Sequence, residues 1–238
     1  MTAALSPSDL SLGAPVPDWT PPTRPSRSAL AGRFARLEPL SLAQADGLFE
    51  AYAADREGRL WTYLSIGPFE TLEAYRDWVA GAAGSEDPLF FAVLVEGRPL
   101  GVLSYLRINP EAGSIEVGWI TLSPALQRTP AATEIQYLMM RWAFEAGYRR
   151  YEWKCNALNA ASRRAAQRFG FSFEGVHRQA QVSKGRNRDT AWYAVIDREW
   201  PALKIAFETW LGPENFDADG RQKAALRTLT APLLVSQG

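Results

Sequence analysis

Between Ser114 and Gly175 the hydrophobic period of the chain switches from two to near four and back again, which restricts the possible folds sharply. Ile115, Val117 and Trp119 alternate with Glu116, Gly118 and Ile120, so Ser114 to Thr121 reads as a strand, and Ser123-Pro124 breaks it. From Ile135 apolar residues recur as Ile135, Leu138, Met139, Trp142, Ala143 and Ala146, a helical stripe that Gly147 ends as its C′ residue. Tyr151, Trp153 and Cys155 then alternate with Glu152, Lys154 and Asn156 in a second strand. A strand, a long helix and a strand imply a parallel pair with a right-handed crossover. The helix start is chemically marked. Thr129 serves as N-cap and Pro130 as first helical residue, so the turn Gln127-Arg128-Thr129 aims backbone N–H groups and the positive dipole end at one spot. Such a spot binds phosphate, although Thr-Pro is equally a plain structural cap.

The rest of the chain supplies antiparallel strands and flanking helices. Residues 1–30 carry six prolines and read as an extended arm, which Trp19 can pin to the body as a strap or leave loosely docked. Arg33 to Pro39 reads as a strand. Leu42 to Ala54 and Thr71 to Ala80 read as helices capped by Ser41 and Thr71. Leu89 to Val95 and Leu100 to Leu106 are strands joined by a Glu96-to-Pro99 turn. Phe171 to Val182 and Thr190 to Ile196 close a hairpin around Lys184 to Asp189. Trp200, Leu203, Phe207 and Trp210 share one side of a helix, and Ala218 to Leu229 reads as a last helix. The pattern is α+β, a mixed and mostly antiparallel sheet with helices on both faces. It divides into the arm at 1–30, a domain at 31–200 and a C-terminal helical extension at 201–238.

Lys plus Arg and Asp plus Glu both number 26, and this balance argues against a general nucleic-acid binder. One cysteine and one histidine, Cys155 and His177, rule out a disulfide framework and a Cys/His zinc site, so no metal is expected. No apolar run of about 18 residues is present, and the N-terminus lacks a signal-peptide pattern. A reducing, cytoplasmic setting is expected.

Two segments resemble one family. SPALQRTPAATE is similar to the acyl-CoA signature Q/R-x-x-G-x-G/A of the GNAT N-acetyltransferases, here Gln127, Arg128, Thr129, Pro130, Ala131 and Ala132. It departs at Pro130, where the family has Gly, and so loses one amide donor. NALNAASRRAAQRFGF resembles the family's N-x-x-S, short helix and Gly-Phe pair through Asn159, Ser162, Gly170 and Phe171. The resemblance runs from about Arg33 to Trp200 and looks closest to the ribosomal-protein N-terminal acetyltransferases. It implies a three-layer αβα fold, with the two parallel strands splayed around the pantetheine arm of acetyl-CoA. It also places the Arg59 to Phe69 region over the acceptor side, where Trp61, Tyr63 and Phe69 suit ordinary core packing equally well.

Transfer of an acetyl group to an amine needs a base for the amine, donors for the developing oxyanion and an exit for the thiolate. Glu116 is the first candidate for base. It is equally suited to a salt bridge with Lys154 or Arg107, and Glu152 is the alternate. Backbone at Ile120, Thr121 and Leu122 is expected to serve the oxyanion and the cofactor amides. Gln127, Arg128, Thr129, Ala131 and Ala132 are expected to hold the pyrophosphate. The resemblance gives Asn159 a contact to pantetheine and Ser162 a place beside the sulfur. The acid tyrosine of many relatives is missing, which leaves Ser162 as the general acid. Asn159 also suits a helix cap. Arg163, Arg164 and Arg168 read as one basic side, solvated or facing the 3′-phosphate. His177 has no carboxylate to orient it and reads as structural. Two functions therefore stand side by side. One is an N-acetyltransferase that moves an acetyl group from acetyl-CoA to a primary amine, on a protein N-terminus or a small molecule. The other is a non-catalytic acyl-CoA-binding module for a partner or for regulation. The arm and the extension also suit a homodimer.

Overall fold

The computed structural model describes residues 12–238; the start of the arm, with Pro7, lies outside the described residues. Eight strands form one sheet in the order β1-β2-β3-β4-β5-β6-β8-β7. They are β1 (Leu30–Ala31), β2 (Arg36–Pro39), β3 (Leu89–Val95), β4 (Arg98–Asn109), β5 (Ser114–Leu122), β6 (Arg150–Asn156), β7 (Ser172–Ser183) and β8 (Arg186–Ile196). Only β5 and β6 pair in parallel, as the crossover requires. On one face, α1 (Ala45–Tyr52) and α2 (Leu72–Gly84) pack Leu48, Tyr52, Tyr75 and Val79 against Phe90, Ala92 and Val102. The opposite face carries α3 (Pro130–Glu145), α4 (Ala160–Arg168), α5 (Trp200–Leu211) and α6 (Leu226–Thr230) over the larger core. Successive strand residues thus alternate between the two cores.

Local signals set the element ends. Thr71 caps α2 through Ala74 N–H at 3.1 Å, and Ser41 forms a capping box with Gln44 before α1. Gly147, at φ 96, ends α3. The buried Glu134 carboxylate accepts from the N–H groups of Arg33 (2.7 Å), Phe34 (2.7 Å) and Ala35 (2.8 Å), fixing the first turns of α3 to the start of the sheet.

Four expectations change. The closing hairpin turns on Lys184-Gly185 alone, and Arg186 to Asp189 belong to β8; both turn residues have positive φ, 49 and 71, as a tight primed turn demands. The earlier hairpin likewise turns on Glu96-Gly97, with Arg98 and Pro99 in β4. The last helix shrinks to α6, because Asp217 accepts from Asp219 and Arg221 N–H in a side-chain turn and Gly220 sits at φ 75. Segment 201–238 puts Leu203, Phe207, Trp210 and Leu226 into the main core, so it packs with the domain rather than beside it.

The described part of the arm is a strap. Trp19 stacks on the Arg149 guanidinium at 5.4 Å, Tyr148 donates to the Thr23 carbonyl at 3.2 Å, and Arg24 donates to the Ile108 carbonyl at 3.1 Å. It crosses the end of the sheet where β5 and β6 begin. No described helix is long and apolar enough to cross a membrane.

Candidate active site

The site is built where β5 and β6 part. Their pairing ends at Val117 and Trp153, yet β5 runs on to Leu122 and β6 to Asn156. A bulge drives the separation. Trp119 sits at φ 52 and the register with β4 shifts there, which twists the end of β5 away from its neighbour. It also breaks the simple alternation read from the sequence.

A cavity of about 910 Å³ fills the gap. Ile120 and Leu122 line it from β5, Gln127 to Pro130 and Ala132 from the start of α3, and Asn159, Ser162 and Arg168 from α4. Thr129 caps α3 as expected, accepting from Ala132 N–H at 3.1 Å with Pro130 in the first turn. Arg128 sits at φ 62, in the left-handed region that glycine favours. Among the described residues, the N–H groups of Arg128 and Thr129 have no acceptor. Thr121 and Ala131, both expected here, are not among the residues lining the cavity. Thr121 is buried, its carbonyl taken by the Tyr52 hydroxyl at 3.0 Å. Ala131 lines a separate groove with Arg33 and Phe34.

Asn159 caps α4, its Oδ1 accepting from Ser162 N–H at 3.0 Å. Ser162 Oγ accepts from Trp153 Nε1 at 3.1 Å, so its own proton serves as a donor, and the Cys155 sulfur is one neighbour it reaches. The three arginines of α4 do not form one side. Arg163 turns to the Tyr193 hydroxyl at 3.1 Å and Arg164 to solvent, while Arg168 enters the cavity. Arg163 and Arg168, five apart, lie about 140° from each other around the helix, which the reading of one basic side overlooked. Among the described residues Arg168 donates only to Thr133 Oγ1, at 3.1 Å, and it lies 5.2 Å from the Phe169 ring and 5.5 Å from the Trp210 ring. Burial pulls its pKa down, and no carboxylate pairs with it among the described residues.

Sequence reasoning missed the far wall. Trp210, Phe216 and Arg221 come from the C-terminal segment and line the same cavity.

A second cavity, about 310 Å³, adjoins the first and shares Leu60, Tyr63, Ile120, Trp153, Asn159 and Ser162 with it. Glu116 lies here, 2% exposed. Its Oε2 lies 3.3 Å from Arg107 Nε and 3.5 Å from Lys154 Nζ, both ion pairs without hydrogen-bond geometry. Both readings of Glu116, salt-bridged and cleft-facing, therefore describe it. Burial raises its pKa to about 7 against the pull of the two cations, and Glu152 adds a smaller push upward. Glu152 itself is held by Arg150 Nε at 2.6 Å, outside both cavities. His177 is exposed on β7, its ring 5.0 Å from that of Trp192.

A family model described as "Acetyltransferase (GNAT) domain" matches residues 35–172. A crystal structure of a GCN5-related N-acetyltransferase from Brucella melitensis is 47% identical, with a TM-score of 0.88 over 90% of this chain and 99% of that one. A probable acetyltransferase (GNAT family) from Chromobacterium violaceum ATCC 12472 is 39% identical, with a TM-score of 0.76 over 83% of this chain and 100% of that one. The ribosomal-protein-serine acetyltransferase of Escherichia coli (strain K12) is 32% identical over 111 residues, which is 46% of this chain and 62% of that protein. A sheet parted at its one parallel pair, the matched domain and this degree of identity lead to one conclusion: the chain belongs to the GNAT acetyltransferase family.

Proposed function

We propose that the protein transfers an acetyl group from acetyl-CoA to a primary amine by direct attack. The observation that carries this reading is the junction of the two cavities. The larger one has free amides and two arginines without acids, which suits a pyrophosphate; the smaller one holds a buried carboxylate with a pKa near neutrality. They meet at Ile120, Trp153 and Ser162, where the reacting atoms would lie.

When bound, acetyl-CoA supplies a thioester whose C–S bond breaks as the C–N bond to the acceptor forms. Glu116 takes the proton that the amine must lose, directly or through one water. Backbone N–H groups of the end of β5 that has parted from β6, at Ile120 and Leu122, stabilise the oxygen that gains charge. Ser162, oriented by Trp153, returns a proton to the departing sulfur. Arg128, Thr129 and Arg168 hold phosphate at the start of α3.

The test is release of free CoA thiol with a panel of primary amines, beside calorimetric titration with CoA. Binding without thiol release from any amine would leave an acyl-CoA-binding module instead. Ser162→Ala should slow turnover by about tenfold and leave CoA affinity in place, because a thiolate leaves tolerably well without an acid. Collapse of CoA affinity would make Ser162 a binding residue. Arg128→Ala and Arg168→Ala should each weaken CoA by about 1.5–3 kcal/mol and barely change affinity for a pantetheine fragment without the pyrophosphate. Equal losses for both ligands would make the arginine concerned structural.

A further inference from the structure

The smaller cavity holds a cation that the acetyl-transfer chemistry does not use. Arg188, on β8, lines it with Glu116, Lys154, Leu60, Tyr63 and Gln181. Its Nε is buried and has no hydrogen-bond partner, and among the described residues no carboxylate pairs with its guanidinium. The acids nearby are committed elsewhere. Glu116 faces Arg107 and Lys154, and Asp189 accepts from Gln179 N–H at 2.7 Å and from Asn187 at 3.0 Å. The cavity therefore contains one carboxylate already matched by two cations, plus an unmatched guanidinium. A buried donor left without an acceptor costs free energy in the empty protein, and an anionic ligand removes that cost. Arginine's planar fork also suits carboxylate and phosphate in two-point contact.

The loop beside the cavity is tied down as well. Lys184, at the tip of the β7–β8 hairpin, donates to the carbonyls of Trp61 (2.8 Å), Ile66 (3.3 Å) and Gly67 (2.9 Å). The Tyr63 hydroxyl donates to the Leu158 carbonyl at 3.2 Å, which ties the same loop to the approach of α4. The loop therefore spans from hairpin to helix beside a space of about 310 Å³, the size of a small-molecule site.

We propose that the acceptor is a small primary amine carrying its own anionic group, a carboxylate or a phosphate. Arg188 receives that anion and so aims the amine at Glu116. This rests on the acetyltransferase reading above and names its substrate class. Arg188 is a specificity-determining residue here and takes no part in the bond changes.

The test measures kcat/KM by thiol release, using the whole chain and acetyl-CoA. The acceptors are free amino acids, O-phosphoethanolamine, the neutral counterparts of each (amino-acid amides and ethanolamine) and a short seryl peptide amide. The expected result is at least a tenfold preference for the anionic members over their neutral counterparts, with the amino acids and O-phosphoethanolamine distinguishing carboxylate from phosphate. In Arg188→Gln that preference ratio should fall about tenfold, while Arg188→Lys, which keeps the charge without the fork, should retain part of it. A structural role would lower both rates and leave the ratio intact. Equal use of neutral and anionic amines by the wild type overturns the proposal, as does activity confined to the peptide. An unchanged ratio in Arg188→Gln overturns it too, and so does thiol release from none of these amines by a chain that binds acetyl-CoA. Absence of acetyl-CoA binding overturns the acetyltransferase reading itself.

Discussion

Glu116→Gln is expected to lower kcat by about 10²-fold or more and to leave CoA affinity nearly unchanged, as loss of a positioned base implies. The wild-type rate should rise with pH along a limb near 7, where the buried carboxylate ionises, and the variant should lose that limb. The same substitution should stabilise the fold. The folded pKa of about 7 lies above the ordinary 4.5, so between those values the folded chain keeps a proton that the unfolded chain releases. Stability therefore falls as pH rises through this window, and the cost is fully present above pH 7. It amounts to about 3.5 kcal/mol at most, the shift converted at roughly 1.4 kcal/mol per pH unit. Gln carries no such cost. Thermal melts of both proteins from pH 4 to 8 should coincide at the acid end and separate above neutrality, with the variant more stable. An unchanged rate removes Glu116 from the mechanism. Parallel melting curves across the whole range would mean that its carboxylate ionises as freely as in water.

The parts of the site governed by local rules were legible from the sequence. The Thr129-Pro130 cap, the Asn159 cap and the β5–α3–β6 crossover each follow from a few adjacent residues, and the structure has all three. What depends on distant packing was hidden. Arg168 reads as one of three surface arginines until α5 closes over it and brings Trp210 to within 5.5 Å of its guanidinium. Thr121 reads as a backbone donor at a strand end, but the sheet register sets it opposite Val102 of β4 and buries it. Arg188 reads as a turn residue because Arg186 to Asp189 are all polar. The tight Lys184-Gly185 turn instead carries it into the strand and over the cavity. Helical composition misled at Ala218 to Leu229, where the Asp217 side chain offers the backbone a competing turn.

The hidden wall carries the other large expected effect. Trp210 is 2% exposed, meets Phe216 edge-on at 5.7 Å, and has its carbonyl bonded to Asn215 Nδ2 at 2.8 Å. Trp210→Ala should cost about 3–5 kcal/mol, the usual range for removing a large buried aromatic ring. For a chain of this size that corresponds to a melting temperature lower by roughly 6–20 °C. A small offset comes from Nε1, which has no acceptor, so removing the ring also removes an unsatisfied donor. CoA affinity should fall together with stability, because the indole is one of the two rings, with Phe169, that flank Arg168 in the cavity. Trp210→Phe separates the two effects. It keeps an aromatic face for the guanidinium and removes the unsatisfied N–H, so it should recover most of the CoA affinity even where a smaller ring leaves the core looser. Calorimetric titration with CoA beside thermal melting of both variants measures this. If Trp210→Ala melts within 2 °C of the wild type and binds CoA as tightly, segment 201–238 is an appendage to the domain. The cofactor cavity would then have to hold its shape on β5, α3 and α4 alone.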